Sequence, residues 1–180
     1  MKDLSKIILK SIRTKKLTNN QIKLICKLKD TQWKSFPKSQ LEWFKINSKK
    51  NDLNLLLIIK KKLIGYILLR KRHAITNNKT IIYYNFDTVI IQKKFRKHGL
   101  GKILILFHNK IMTKLKKHSF LICQKKLVPF YLKLNWKVKP KKSYKIMDHK
   151  SSLNKKKLNL FGMTYKIEKK IKNKIYYYFN

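Results

Sequence analysis

The residues best suited to chemistry lie in the segment 95–107, which reads FRKHGLGKILILF. Gly99 and Gly101 stand where a β-rich segment ends and an apolar, helix-like run begins. Glycines at such a junction let the backbone approach a ligand and leave N–H groups free at the helix start, which favours anion binding. The pattern lacks the Gly-Lys-Ser/Thr of a Walker loop and the third glycine of a Rossmann fingerprint, so alone it also fits a plain turn.

A second segment, LVPFYLKLNW at 127–136, follows about 25 residues later. Arg96-x-x-Gly99-x-Gly101 resembles the pyrophosphate-binding motif of the Gcn5-related N-acetyltransferases. The second segment is similar to that family's Phe-Tyr-x-x-x-Gly-Phe/Trp sequence, with Asn135 in place of the glycine. Asparagine tolerates the left-handed backbone that such a position requires. The resemblance is best over residues 80–138, and the element order is similar to that of the aminoglycoside 2′-N-acetyltransferase-like branch.

The resemblance implies that acetyl-coenzyme A (acetyl-CoA) binds as the acyl donor. In that family, the strand before the loop holds the acyl group and the pantetheine arm, and the loop amides hold the pyrophosphate. The implied cofactor-binding residues are Val89, Ile90, Ile91, Arg96, Lys97, His98, Gly99, Leu100, Gly101 and Lys102. A backbone N–H near Val89–Ile91 would also polarise the thioester carbonyl.

Two catalytic residues follow from the resemblance and from local chemistry. Tyr131 matches the tyrosine that protonates the departing thiolate, and a phenol titrating near 10 can supply a proton to a thiolate whose acid titrates near 8.5. The alternative is that Tyr131 only packs beside Phe130. Asp87 lies just before the acyl-binding stretch and is the best-placed carboxylate to accept a proton from the amine or to orient it. The alternative is a solvated or structurally bonded Asp87.

The elements around these motifs are predicted from hydrophobic periodicity and turn signals. The predicted strands cover 5–13, 53–60, 63–71, 80–92, 119–124, 136–147 and 158–168, and 53–60 and 63–71 form a hairpin. Helices follow an N-cap at Thr18, the interruption at 37–38, the glycine pair and Pro129. The helix after the glycines carries an apolar stripe of Ile103, Phe107, Ile111 and Leu115, flanked by Leu104 and Met112. The helix after Thr18 carries a stripe of Ile22, Ile25, Cys26 and Leu28. The Asn77–Asn78 pair predicts another turn, and the aromatic end, KNKIYYYFN, is either packed or frayed.

This order predicts an α/β domain, because a strand, a glycine turn, a helix and another strand form a crossover unit. The fold class implied by the resemblance is a mixed, mostly antiparallel central sheet with helices on both faces and a splayed strand pair holding the cofactor. We expect a single domain over 1–180, with a core at 5–168 and a tail at 169–180.

Net charge is the dominant feature of the composition. Lysine and arginine total 47 residues against seven acidic ones, which gives +40. A field this positive attracts polyanions non-specifically, so contact with nucleic acid is plausible. Only four of the basic residues are arginine, the residue preferred for bidentate phosphate contacts, and no nucleic-acid motif is present. Two interpretations remain open: a solvated lysine-rich surface, or a binding surface.

The apolar runs, the cysteines and the histidines indicate what kind of protein this is. The apolar runs are too short to span a bilayer, and Cys26 and Cys123 sit in apolar surroundings, which indicates buried reduced thiols in a cytoplasmic protein. The five histidines show no paired metal spacing, so no metal is expected. We expect no membrane partner and a monomer or homodimer.

The predicted function is an N-acetyltransferase that moves an acetyl group from acetyl-CoA to a primary amine by direct attack in a ternary complex. Neither cysteine falls in the motifs, which argues against a covalent acyl-enzyme. A cationic enzyme would repel a polycationic acceptor unless a local acidic patch around Glu42, Asp87 or Asp148 offset the repulsion. The alternative function is a module of the same fold that binds nucleic acid through its basic surface with little or no catalysis.

Overall fold

The computed structural model describes residues 6–33, 39–147, 160–166 and 174–179. Among these, the strands are β1 (Ile7–Arg13), β2 (Leu53–Ile59), β3 (Lys62–Thr76), β4 (Lys79–Ile91), β5 (His118–Cys123), β6 (Lys137–Lys139), β7 (Tyr144–Met147), β8 (Phe161–Tyr165) and β9 (Ile175–Tyr178). The α-helices are α1 (Asn19–Asp30), α2 (Gln40–Asn47), α3 (Leu100–Leu115) and α4 (Val128–Leu132). The predicted interruption at 37–38, the lysine-rich loop at 148–157 and Asp148 lie outside the described residues.

Contacts group the chain into two compact units. The first falls within Met1–Arg70 and Asp87–His108, and the second within Lys71–Phe86 and Asn109–Asn180. Three elements, β3, β4 and α3, run through both.

In the first unit, β1, β2 and β3 form an antiparallel meander. Ile7 pairs with Ile59 at one end of the β1–β2 ladder, and Leu53 pairs with Leu69 between β2 and β3. The predicted hairpin between β2 and β3 is confirmed. Its turn uses Lys60 and Lys61, both with positive φ, in place of the usual asparagine and glycine.

Helices α1 and α2 pack on one face of this meander. Thr18 caps α1 as predicted: its hydroxyl accepts from the Gln21 N–H, and the Gln21 side chain accepts from the Thr18 N–H. Ser39 caps α2 through the N–H of Glu42. Both helices bury their apolar sides against strand residues, in a core of Ile25, Cys26, Leu28, Phe44, Leu56, Tyr66, Leu68 and Ile90.

Helix α3 packs on the opposite face of the meander. Gly65 follows Ile64 and precedes Tyr66 on β3, so a side chain at 65 would point away from the Tyr66 core. A Cβ at this position would lie 2.7 Å from Ile91 Cδ1 and 3.3 Å from Leu104 Cδ2. Glycine at position 65 therefore leaves room for the side chains of Ile91 on β4 and Leu104 on α3. The prediction of helices on both faces of the sheet is confirmed for this unit.

The predicted crossover runs from β4 through the glycine loop and α3 to β5, and the ladder between its two strands lies in the second unit. β5 pairs with β4 in parallel through Tyr83–His118, Tyr84–Ser119 and Asn85–Phe120. The ladder between β4 and β5 ends after these three residue pairs, although β5 continues to Cys123. Two strands that splay apart lose their ladder in this way. On its other side, β5 pairs with β8, and β8 pairs with β6, both antiparallel. The sheet is therefore mixed and mostly antiparallel, and the predicted α/β class is confirmed.

The aromatic C-terminal segment packs rather than frays. β9 pairs with β7 and with the end of β3, where Ala74 meets Tyr177. Ile175 and Tyr177 are fully buried, and the Tyr177 ring stacks on Phe120 at 3.9 Å between centroids.

Two predicted patterns were wrong in detail. Residues 136–147 form two short strands rather than one, because Pro140 has no N–H for a ladder bond and begins a turn at Lys141–Ser143. In α3, the apolar side chains that are at most 1% exposed are Leu100, Leu104, Ile105 and Met112. The buried face therefore includes the two predicted flanking residues, Leu104 and Met112, and is rotated by about one residue from the stripe itself. The hydrophobic pattern could not locate this buried face, because the face also contains the polar residue Asn109, which donates to the Leu134 carbonyl at 2.8 Å.

Candidate active site

The glycine loop joins β4 to α3 through a short 3₁₀ turn at Lys93–Phe95. The Gln92 N–H donates to the Ile64 carbonyl at 2.8 Å, which fixes the end of β4 against β3. Lys97 and Gly99 then adopt left-handed backbone, with φ of 65° and 74°. Only glycine takes that conformation without cost, so Gly99 is required by the turn itself.

The start of α3 has the backbone geometry that the predicted anion site requires. Its first i→i−4 bond runs from the Ile103 N–H to the Gly99 carbonyl at 3.1 Å. The N–H groups of Leu100, Gly101 and Lys102 precede this bond, so they have no acceptor within the helix. Unpaired N–H groups and the positive end of the helix dipole favour a phosphate-bearing ligand.

Arg96 has a structural task in the loop. Its Nε donates to the Ile91 carbonyl at 3.0 Å, and its terminal nitrogen donates to the Gln32 side-chain oxygen. The guanidinium therefore ties the loop to β4 and to the segment after α1. His98 Nδ1 donates to the Arg96 carbonyl at 2.6 Å. The side chains of Lys97 and Lys102 are exposed at this end of α3, where they add positive charge.

The predicted acyl-binding stretch, Val89–Ile91, has side chains on different surfaces. Ile90 is 2% exposed and belongs to the core beneath α1 and α2. Ile91 reaches Gly65 on the α3 side, and both Val89 and Ile91 are half-buried.

Asp87 is bonded within the structure. Its Oδ2 lies 3.4 Å from Arg70 Nη1, and Arg70 Nη2 donates to the Asn47 carbonyl at 2.7 Å. Arg70 is thus fixed between the end of α2 and β4. The Asp87 side chain remains 28% exposed, so it is accessible as well as paired.

Asp87 also lines a pocket of about 240 Å³ within the first unit. The lining residues come from α1, the segment after it, α2 and β4: Lys29, Trp33, Gln40, Trp43, Asp87 and Thr88. Two tryptophans supply flat apolar walls, and Lys29 and Asp87 supply opposite charges. The pocket therefore suits a small ligand that has both apolar and polar parts.

Lys29 is the unusual member of this set. The residue is 3% exposed, and its Nζ lies 3.5 Å from the centroid of the Trp43 ring. Burial lowers the pKa of Lys29 from 10.5 to about 8, against the opposing attraction of Asp87. Weaker influences on this pKa come from Cys26, Arg70 and Asp30. Perturbed pKa values of this kind, in a cleft, mark candidate functional groups.

Tyr131 lies in the second unit. It is 6% exposed and contacts the rings of Phe86, Phe130 and Trp136, with centroids 6.3, 5.3 and 5.6 Å away. Burial raises the pKa of Tyr131 well above its ordinary value, with a smaller contribution from Cys123. The phenol therefore stays protonated at neutral pH.

The end of α4 forms as predicted around this tyrosine. Asn135 takes a left-handed backbone with φ of 64°, and the backbone N–H groups of Leu134 and Trp136 both donate to the Tyr131 carbonyl. Asparagine thus fills the role of the glycine that the motif would carry.

The structure groups Asp87, Val89–Ile91 and residues 96–102 in the first unit and places Tyr131 in the second. Sequence reasoning missed Lys29, Trp43 and Arg70. Lys29 had a detectable signal, since it lies three and four residues after Cys26 and Ile25 on the predicted stripe of α1.

Other site types find little support in the described residues. No group of three or more histidine, cysteine, aspartate or glutamate side chains is arranged there to hold a metal ion. In the same part of the chain, no helix has the length and apolar character needed to cross a membrane.

No protein-family model matches the chain, and no curated protein matches it in sequence. Solved structures do resemble it. ElaA from Escherichia coli has a TM-score of 0.61 at 14% identity, over 88% of this chain and 99% of that one. An acyl-CoA N-acyltransferase from Pseudomonas aeruginosa has a TM-score of 0.62 at 14% identity, over 88% of this chain and 99% of that chain.

An aminoglycoside 6′-N-acetyltransferase complexed with coenzyme A gives a TM-score of 0.62 at 13% identity, over 88% of this chain and 96% of that chain. Identities this low establish the fold rather than the activity. The chain therefore has the fold of the Gcn5-related N-acetyltransferases, which its two sequence motifs predicted.

Proposed function

We propose that the chain is an acyltransferase that moves the acetyl group of acetyl-CoA to a primary amine by direct attack while both are bound. The observation that carries this proposal is the start of α3, where three N–H groups precede the first helical bond behind a left-handed Gly99. Lys97 and Lys102 add the charge that a pyrophosphate requires.

Acetyl-CoA supplies an acyl group activated as a thioester. Within the loop Arg96–Lys102, the backbone N–H groups of residues 97–102 would hold its pyrophosphate, because the Arg96 N–H already donates to the Lys93 carbonyl. Val89–Ile91 would bind the acyl arm. Arg96 acts indirectly here, because its guanidinium is committed to Ile91 and Gln32 and so fixes the loop rather than the ligand.

Tyr131 is assigned as the proton donor to the leaving thiolate. With ordinary pKa values the transfer would cost about 2 kcal/mol, and the raised pKa of the buried Tyr131 adds to that cost.

Asp87 is assigned to bind the acceptor amine. Its Oδ2 is engaged by Arg70, which leaves Oδ1 to accept from an amine N–H. Burial raises the pKa of both cysteine thiols and so reduces the thiolate that a covalent acyl-enzyme would need. This supports direct attack.

Calorimetry would test the cofactor loop. Coenzyme A is titrated at about 0.3 M salt, where non-specific polyanion binding is weak, and compared with pantetheine, which lacks the pyrophosphate. We expect coenzyme A to bind at least about tenfold more tightly, about 1.4 kcal/mol. Lys102→Gln should weaken coenzyme A binding, whereas Lys114→Gln, in the last turn of the same helix, should not. Equal affinities for coenzyme A and pantetheine would refute the loop assignment.

The high net charge makes nucleic-acid binding the second candidate. It predicts affinity for DNA or RNA that falls steeply with salt and no stabilisation by coenzyme A. Titrations with a DNA oligonucleotide at about 0.05 M and about 0.3 M salt, set beside the coenzyme A titration, separate the two candidates.

A further inference from the structure

The charges around the Trp43 pocket do not balance. Lys29 and Arg70 are cationic, and Asp87 is the carboxylate that faces them. Asp30 attracts Lys29 more weakly than Asp87 does, is exposed and does not line the pocket. Arg70 takes that carboxylate in an ion pair and is anchored on its other side by the Asn47 carbonyl. One positive charge is therefore in excess, and Lys29 carries it.

Lys29 lacks a carboxylate of its own. None of the described residues forms an ion pair with it, and its ammonium instead lies over the Trp43 ring. Lys29 as a residue is 3% exposed, and an ammonium held against an aromatic face at such a position loses more hydration than the ring returns. The lowered pKa of Lys29 is the expected consequence. A ligand anion would supply the missing partner.

The size and walls of the pocket limit what that ligand is. At about 30 Å³ per water molecule, the pocket volume corresponds to roughly eight waters, which fits a molecule of about amino-acid size. Trp33 and Trp43 favour an apolar side chain. A carboxylate, with its single charge, matches one excess cation better than a phosphate, which carries nearly two negative charges at neutral pH.

The position of the pocket links this ligand to acyl transfer. Asp87 and Thr88 line it, and Val89–Ile91 follow directly on β4. At about 3.3 Å per strand residue, Asp87 lies roughly 10 Å from Ile90 along the strand, so an amine bound at Asp87 is at the entrance to the proposed acyl-binding stretch.

We propose that the acceptor is a small, apolar amino acid, whose carboxylate is bound by Lys29 and whose amino group is bound by Asp87. This proposal rests on the proposed function for its reaction, but the binding step can be measured without turnover. It also disfavours polycationic acceptors such as aminoglycosides, since the pocket already has an excess positive charge.

The test uses three probes of matched shape: L-leucine, L-leucinamide, which lacks the carboxylate charge, and isopentylamine, which lacks the carboxyl group. Binding is followed by tryptophan fluorescence, because Trp33 and Trp43 line the pocket while Trp136 is buried in the second unit. Trp43→Phe should remove most of the signal change, which would locate the ligand in this pocket.

We expect leucine to bind at least tenfold more tightly than either neutralised analogue. Lys29→Met should abolish this preference, Lys29→Arg should retain part of it, and Lys27→Met, an exposed position on α1, should leave it intact. Equal or tighter binding of leucinamide or isopentylamine, or no response to any of the three, would overturn the proposal.

Turnover with the same probes separates this inference from the proposed function. If the amines are acetylated without any preference for the carboxylate, the acetyltransferase stands and the amino-acid assignment fails. If leucine binds with the expected Lys29 dependence but no probe releases coenzyme A from acetyl-CoA, the pocket assignment stands and the proposed reaction fails.

Discussion

Replacing Lys29 by methionine should make the protein more stable, although it removes a residue we assign to substrate binding. Methionine keeps the apolar stem but needs no hydration, so it relieves the cost of holding an ammonium on a residue that is 3% exposed. The pKa of Lys29 falls from 10.5 to about 8, which corresponds to about 3 kcal/mol of destabilisation in the charged form. Loss of the contact between the ammonium and the Trp43 ring offsets this gain in stability by about 1 kcal/mol.

We therefore expect Lys29→Met to raise the free energy of unfolding by about 2 kcal/mol at pH 7. For a chain of this size, that corresponds to a rise of roughly 4–8 °C in melting temperature. The assay is urea unfolding followed by circular dichroism, with Lys27→Met as the control for loss of one charge from α1. Lys27 is exposed, so the control should change stability by no more than about 0.5 kcal/mol.

The pH dependence gives a sharper form of the same prediction. The unfolded chain releases the Lys29 proton near 10.4, and the folded protein releases it near 8. Between these values the unfolded state binds more protons, so the stability that Lys29 costs is recovered as pH rises. The difference between Lys29→Met and wild type should be full below pH 8 and should shrink toward zero by about pH 10.4. A variant less stable than wild type at pH 7, or a difference independent of pH, would refute the reasoning.

Tyr131→Phe should slow turnover by about 10²-fold or more while coenzyme A affinity, measured by calorimetry, changes by about twofold or less; an unchanged rate would remove Tyr131 from the acid role. Gly99→Val should weaken coenzyme A binding and cost about 1–2 kcal/mol of unfolding free energy, because φ is 74° there. Gly99→Asn should retain most of the coenzyme A affinity and most of the unfolding free energy. Equal losses in Gly99→Val and Gly99→Asn would contradict the requirement for a left-handed backbone at this position. Gly65→Val should cost about 1–3 kcal/mol in urea unfolding, because its Cβ would clash with Ile91 and crowd Leu104. Wild-type stability in that variant would show that α3 does not pack as described.

Features governed by local sequence could be predicted. The Thr18 cap, the Asn77–Asn78 turn and the left-handed Asn135 each depend on a few neighbouring residues, and the structure contains all three. The start of α3 after Gly99 belongs to the same class, because glycine and a following apolar run determine it. This start of α3 shapes the proposed cofactor loop, so that part of the site was accessible from the sequence.

Features that depend on distant contacts could not be predicted. The ion pair of Asp87 with Arg70 joins two strands across a hairpin. Burial of Lys29 requires α2 to pack against α1 and to bring Trp43 over the ammonium. The position of Lys29 on the apolar stripe of α1 indicates that it faces inward, but no local pattern shows what its ammonium meets there. The acceptor pocket therefore became visible only in three dimensions, whereas the proposed cofactor site was visible in the sequence.

The most direct test of the central claim is to incubate the protein with acetyl-CoA and an amine and to measure both products. We predict release of the coenzyme A thiol, matched one-to-one by an N-acetylated product in mass spectrometry, and loss of both in Tyr131→Phe. Binding of acetyl-CoA with no N-acetylated product from any amine, including leucine, would contradict the assignment of acetyl transfer.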